Sequence, residues 1–323
     1  MNASRTNAWP AFCSALAFAA ATQGAHAELI YGLTNSSSTT GAANTLISFD
    51  SATPGSVNVI GAVTGVAAGD RLIGIDIRPS TGPNNNRLYA LGVNAAGQGR
   101  VYTINTLTGL ALSGAILAAD PADITAPTPY QNVLGTSFGF DFNPVVDRLR
   151  VTSDTGQNLR INVDNGLVQL DVPLAYTDGT TSSPVIVGAA YNDNAPGATT
   201  TALRGVDIGR SPDFVVLFTN ANAGTFNSAL GTSFDSGPLF GYDFSGLTGI
   251  PYFSVTAPGA NVSQLYANFG SGITLVGTIG GGNALVGIAA QIGKVPEPAS
   301  LGLVGIALVA MLVIVRRRER RIQ

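Results

Sequence analysis

The stretch "SFGFDFNPVVDRLRVTSDTGQNLRINVDNGLVQLDV", residues 137–172, decides how this chain folds. It divides into "SFGFDFNP" (137–144), "RLRVTSD" (148–154), "NLRINVD" (158–164) and "LVQLDV" (167–172). Each run alternates polar and apolar residues, so successive side chains point to opposite faces of a strand. Gly, Asn, Asp and Pro bound the runs, and Asp164-Asn165-Gly166 supplies the positive φ of a tight hairpin. Four short antiparallel strands in succession are the expected local structure.

The first run recurs along the chain. "LIGIDIRP" (72–79) and "LFGYDFSG" (239–246) share its Gly-apolar-Asp-apolar order. "VIVGAAYN" (185–192) and "ALVGIAAQ" (284–291) keep the glycine but carry Ala190 and Ala289 in place of Asp. The glycines fall at 74, 139, 188, 241 and 287. Three further alternating runs follow each of the first four copies, among them "RLYALG" (87–92), "DFVVLFTN" (213–220) and "SQLYANF" (263–269). A four-stranded unit repeated about every fifty residues is the signature of a propeller blade. The Gly-apolar-Asp run is then the innermost strand, where glycine permits close backbone approach near the axis.

The ends of the array complement each other. "LIYGLT" (29–34), "TLISFD" (45–50) and "VNVIGAV" (57–63) match the second, third and fourth strands of a blade that has no first. "ALVGIAAQ" is a first strand with nothing after it. The expected fold is therefore all-β: a propeller of five four-stranded blades, closed when the C-terminal strand joins the N-terminal blade. A β-sandwich or β-helix accommodates short strands at long intervals, but a sandwich would not predict the missing first and surplus last strand.

Outside the array, the two termini read as address segments. Arg5, an apolar stretch from Ala11 to Ala21, and Ala25-His26-Ala27 form the three parts of a secretory signal helix spanning residues 1–27, with cleavage after Ala27. Residues 28–292 form the propeller domain, and 293–323 a C-terminal segment. There, Pro296-Glu297-Pro298 precedes an uncharged apolar run, Ala299 to Val315, which reads as a transmembrane helix. Arg316, Arg317, Arg318, Arg320 and Arg321 follow as a stop-transfer cluster, which the positive-inside rule keeps in the cytoplasm. The prolines keep the preceding segment extended and open to a protease.

Composition narrows the chemistry. Between residues 28 and 297 ten basic side chains face eighteen acidic ones, a balance of −8 that argues against nucleic-acid binding. Cys13, His26 and Trp9 are single occurrences, all within the signal segment. The body thus has no thiolate or imidazole metal ligands and no Ser-His-Asp or Cys-His arrangement. No cofactor motif is present, and Gly280-Gly281-Gly282, with no lysine or helix start after it, reads as a turn.

Two resemblances follow from these residues. Pro-Glu-Pro, apolar helix and arginine cluster in that order resemble the PEP-CTERM sorting signal of Gram-negative bacteria. It implies secretion through the translocon, an inner-membrane precursor, recognition by an exosortase-type processing enzyme, and a surface or extracellular-matrix protein associated with exopolysaccharide. "LISFDSATPG", "RVYTINTLTGLA", "FGFDFNPVVDRLRVTSDTGQNLRIN" and "LVGTIGGGNALVGIA" are similar to a bacterial domain of unknown function, number 4394, over about residues 29 to 291. That family implies no activity.

Candidate ligand-binding residues are Asp76, Asp141 and Asp243, at equivalent places on three inner strands. Clustered carboxylates near an axis can bind a cation or hydrolyse a glycosidic bond. Their repetition favours a structural role, in which each accepts backbone N–H groups and pins adjacent blades. The alternative to a matrix protein is a glycan hydrolase or lectin using these aspartates; an open funnel favours it and a plugged axis disfavours it. Asp154 to Asn158 and Asn192-Asp193-Asn194 resemble fragments of calcium loops but lack the alternating acidic ligands, and read as Asx turns. Tyr89, Tyr102, Tyr242 and Tyr252 are candidates for sugar stacking, although strand aromatics are more often core. Residues 182–201, rich in Asn, Pro, Ala and Thr, read as a long surface loop.

Overall fold

The computed structural model describes residues 27–36, 43–124 and 129–293. The signal helix and the transmembrane helix expected from the sequence lie outside the described residues. Those described are all-β, with no helix long and apolar enough to cross a membrane.

Five sheets form the ring. Blade A holds β1 (Leu29–Thr34), β2 (Thr45–Asp50) and β3 (Val57–Ala62). Blade B is β4 (Arg71–Ile77), β5 (Leu88–Val93), β6 (Gly99–Ile104) and β7 (Ala111–Ile116). After the two-residue strand β8 (Ala118–Ala119), blade C comprises β9 (Phe138–Asn143), β10 (Arg148–Ser153), β11 (Asn158–Asn162) and β12 (Leu167–Leu170). After β13 (Ala175–Tyr176), blade D comprises β14 (Ile186–Tyr191), β15 (Leu203–Asp207), β16 (Phe214–Asn220) and β17 (Thr225–Gly231). Blade E is β18 (Phe240–Phe244), β19 (Pro251–Val255), β20 (Gln264–Asn268) and β21 (Ile273–Thr278), and the last strand is β22 (Leu285–Ala290).

β22 supplies the missing inner strand of blade A. The sheet order there is β22-β1-β2-β3, with Ile30 opposite Ala290 and Gly32 opposite Ile288 in an antiparallel ladder. Its side chains are buried throughout, and Leu285 and Ile288 join Ile30, Ile47, Tyr252 and Leu265 in the core between blades E and A. The hairpin at Asp164-Asn165-Gly166 forms as expected, with Gly166 at φ +76°. One expectation changes. The stretch 182–201 is not one surface loop, because β14 within it is buried at every position. Alternating apolar residues outweigh the loop-like composition on either side.

The outer edges of the blades are stapled by a device that the periodicity did not reveal. The connector leaving each blade bonds to the outermost strand of the next. Ala111 N–H donates to Thr64 O at 2.8 Å, joining A to B. β8 runs parallel to β12, and β13 runs parallel to β17. Ser233 Oγ donates to Ile273 O at 2.7 Å, and Gly280 N–H to Pro54 O, in the turn just before outer strand β3, at 3.0 Å. Each contact occupies polar edge groups that would otherwise invite pairing with another chain. β8 and β13 have two residues each, too short to leave an alternating pattern.

Candidate functional site

The inner strands carry two layers of side chains toward the axis, because residues two apart share a face. The first layer is Gly74, Gly139, Gly188, Gly241 and Gly287. Here the strands touch. A Cβ on Gly139 would lie 2.5 Å from Ala189 N, and one on Gly241 would lie 2.7 Å from Ile288 N. Only about 10 Å³ of space remains within this layer, so it plugs the axis.

The second layer is Asp76, Asp141, Ala190, Asp243 and Ala289. The structure brings the three aspartates together, each offering a carboxylate oxygen within 4.8 Å of the others. They are 1 %, 0 % and 1 % exposed, respectively. Their hydrogen bonds follow one rule around the ring. The backbone N–H one residue past the layer in the next blade donates inward. Phe142 N–H reaches Asp76 Oδ2 at 2.8 Å, Tyr191 N–H reaches Asp141 Oδ2 at 2.8 Å, and Ala290 N–H reaches Asp243 Oδ2 at 2.6 Å. Where the preceding blade carries alanine, the N–H turns to its own neighbour: Ile77 to Asp76 Oδ1 at 2.6 Å, and Phe244 to Asp243. Three carboxylates thus satisfy the N–H groups of five inner strands.

Burial raises all three acids. Desolvation is the main cause for Asp76 and Asp141, with repulsion between the carboxylates added, and both are held well above the usual carboxylate range. Asp243 is pushed up to about 7 by desolvation, moderated by the Ala290 and Phe244 N–H bonds. Asp141 and Asp243 are close enough for a carboxyl–carboxylate hydrogen bond. No ion pair among the described residues involves any of the three. A sugar ring cannot reach groups so enclosed.

The other singled-out residues fall elsewhere. Tyr89, Tyr102, Tyr242 and Tyr252 are all buried in the cores between strands. Asp154 accepts from Thr136 N and Oγ at 2.9 and 2.6 Å, and Asn192 Oδ1 accepts from Ala202 N at 2.6 Å, contacts between separate segments rather than the expected Asx turns. Asn194 behaves differently. It is buried, and its Nδ2 donates to Phe244 O at 3.2 Å and to Asp243 Oδ1 at 3.4 Å. Gly280 to Gly282 make a turn between β21 and β22.

Surface depressions gather at the face where the inner strands end. A groove of about 390 Å³ between blades C and D includes Arg148, Arg150, Arg160, Asn162, Asn165 and Tyr191. Arg150 forms its floor and is fully buried. Its guanidinium donates to Asp171 at 2.6 Å, Asn158 at 2.7 Å, Asn222 at 2.7 Å and Tyr191 Oη at 3.2 Å, which ties blade C to blade D. Arg160 binds Asp171 through two nitrogens, and Arg148 donates to the backbone carbonyls of Val146 and Asp147. Arg78, also buried, holds Asp147 and Asp164 in paired bonds of 2.7–2.8 Å between blades B and C. The sequence reading missed these arginines. The available signal was their scarcity: an arginine flanked by Leu149 and Val151 on a strand is conspicuous where only ten basic residues serve the whole body.

The chain also leaves the fold at this face. Gly246 N–H donates to Gln291 O and Gly293 N–H to Asn194 O, both at 2.8 Å, fixing residues 291–293 between blades D and E.

Fold and termini together define a five-bladed β-propeller with a C-terminal sorting tail. Residues 45–289 match the family described as a domain of unknown function, DUF4394, and the chain belongs to that family. Residues 294–319 match the PEP-CTERM protein-sorting motif, which marks export with recognition by an exosortase-type enzyme and a surface or extracellular placement. No curated protein matches the chain. Similar solved structures include AofleA from Arthrobotrys oligospora (11% identity, 82% of this chain and 75% of that chain, TM-score 0.43). The fucose-specific lectin of Aleuria aurantia is another, at 12% identity, 80% of each chain and TM-score 0.41. A third is the periplasmic gluconolactonase PpgL of Pseudomonas aeruginosa, at 14% identity, 78% of this chain, 68% of that chain and TM-score 0.36.

Proposed function

We propose that this protein is a non-catalytic display module of an exopolysaccharide-rich cell surface. In this reading residues 1–27 direct it through the translocon of a Gram-negative cell and are removed. The apolar run 299–315 then holds a precursor in the inner membrane, with the arginines in the cytoplasm. An exosortase-type enzyme cuts near Pro296-Glu297-Pro298 and frees the propeller for the matrix. The observation that carries the reading is the position of the tail. Gly293, the last of the described residues, is hydrogen-bonded to Asn194, and only Lys294 and Val295 separate it from the tripeptide. Cleavage therefore falls against the face that bears the surface grooves, and releases it.

That face, not the axial aspartates, is where polysaccharide would bind. The groove between blades C and D presents Arg148 beside several amides and Asp120, over Arg150 and Arg160, which share the single carboxylate of Asp171; this local excess of positive charge in an otherwise acidic body suits a carboxylated sugar. Enclosure of the aspartates speaks against the hydrolase alternative.

Two measurements test this. Intact-mass analysis of protein recovered from the cell surface should find residues 299–323 absent, and Glu297→Ala should leave the full-length form in the inner membrane. Recovery of full-length chain at the surface would leave a plain single-span anchor instead. In pull-downs with an acidic polysaccharide such as a polyuronate, the protein should be retained in preference to a neutral dextran. Arg148→Ala should weaken that retention about tenfold or more, since a charge-assisted hydrogen bond contributes roughly 1.5–3 kcal/mol and 1.4 kcal/mol is about tenfold. Equal retention on both polymers would remove the glycan part of the proposal while leaving the sorting part intact.

A further inference from the structure

We propose that the axial layer is a structural site for one divalent cation of the calcium type, held by Asp76, Asp141, Asp243 and the side-chain oxygen of Asn194. Geometry comes first. Oxygens that share a calcium ion at about 2.3–2.6 Å lie no more than about 5 Å apart. The three carboxylates meet that limit, within 4.8 Å of one another, although they come from three different blades.

A second observation is independent of the acidic cluster. Asn194 is 1 % exposed, and its amide end reaches the cluster through Nδ2, 3.4 Å from Asp243. Its Oδ1 has no hydrogen-bond partner, and a half-turn of the amide would present that oxygen to the cluster in place of Nδ2. Buried acceptors without donors are costly, and native structures leave few of them. A cation would satisfy this oxygen. It would also offset the mutual repulsion of three carboxylates that have no ion pair among the described residues.

The donor set selects the ion class. All four ligands are hard oxygens, and the body has no His or Cys, so zinc and softer metals are disfavoured. Magnesium keeps a strict octahedral shell with several waters, whereas calcium tolerates irregular protein cages. The plugged glycine layer beside the site leaves no room for a water shell on that side. A route exists on the other side: Asn194 also lines a depression of about 330 Å³ between blades D and E, open at the face where the inner strands end. The ion's role is mechanical. It draws the inner strands β4, β9 and β18 to one point and locks the ring from within.

The test uses the full-length chain at fixed ionic strength and pH 7.5. Elemental analysis after purification without chelator should find about one calcium per chain. Removal with EDTA should lower the melting temperature by roughly 5 °C or more, and calcium chloride at saturating concentration should restore it where magnesium chloride does not. Asp141→Asn should abolish the calcium response. Should that variant not fold, Asn194→Ala, which keeps all three carboxylates, should weaken calcium binding about tenfold or more. No co-purified ion together with no EDTA or calcium effect would overturn the proposal and leave protons alone to neutralise the layer. A calcium response unchanged in either folded variant would place the ion elsewhere and overturn it equally. Both outcomes are independent of where the chain is sorted and what polysaccharide it meets.

Discussion

A chain ending at Ala284 should show no cooperative unfolding transition and should aggregate, while a chain ending at Gly293 should unfold as sharply as the parent. The two differ only by β22 and the three residues after it. Deleting β22 withdraws Leu285, Val286 and Ile288 from the cores on both sides of blade A. Fully burying a side chain of this kind contributes about 1.5–3 kcal/mol. Three such losses approach the whole stability of an ordinary domain, roughly 5–15 kcal/mol. The ladder suffers as well. Residues Ile30 to Thr34 of β1 lose their partners, and the edge they expose invites pairing with other chains. The Ala290 N–H bond that holds blade A to Asp243 goes with them. Calorimetry and size-exclusion chromatography of the two truncations decide the matter. A sharp transition within a few degrees of the parent in the shorter chain would mean that the ring does not depend on its closing strand.

The second large effect concerns pH. In chelator-treated buffer the protein should be most stable on the mildly acid side and should weaken steadily as pH rises from about 4 through 7. The sign follows from the axial layer. Its carboxyls titrate higher in the folded chain than in the unfolded one, where an aspartate titrates near about 3.9. Between those values the folded state holds more protons, so each rise in pH favours unfolding. Asp243, raised to about 7, shares in this slope with Asp76 and Asp141, both also raised. Asp164 works in the opposite sense, because its bond to Arg78 lowers its pKa. Its stabilisation is complete above the unfolded value and fades as pH falls further, which limits the gain on the far acid side. Denaturant midpoints at pH 5 and pH 8 measure the slope. Asp243→Asn should flatten it, since an amide has no proton to lose, and saturating calcium should reverse it by stabilising the ionised layer. A profile that is level or rises toward pH 8 without calcium would rule out a protonated layer.

Much of this architecture was written locally in the chain. Alternation of polar and apolar residues is a property of five to seven neighbours, so "RLRVTSD" and "NLRINVD" announce strands without reference to anything distant. The recurring glycine marks the inner strand, with Asp two residues on and on the same face in three copies and Ala in two, and its fivefold recurrence counts the blades. Even closure was legible, since a blade without a first strand and a first strand without a blade have one economical solution. Composition likewise excluded thiol and imidazole chemistry, and the C-terminal motif was complete in itself.

Tertiary structure decided what depends on partners far apart in sequence. Repetition placed Asp76, Asp141 and Asp243 at equivalent positions, but nothing local says that their N–H donors are Phe142, Tyr191 and Ala290 in the following blades. Nor does it say that three acids serve five strands, because that sharing appears only when the ring fixes how adjacent inner strands are staggered. Asn194 looked like a turn residue and became a neighbour of the axial layer, since a short polar side chain reports no preference for which face it will meet. Strands β8 and β13 were invisible because two residues cannot show a period. The arginine networks of Arg78 and Arg150 were hidden for a related reason: a buried guanidinium is tolerable only with its carboxylates and amides in place, and those arrive from loops and strands that the fold alone brings together.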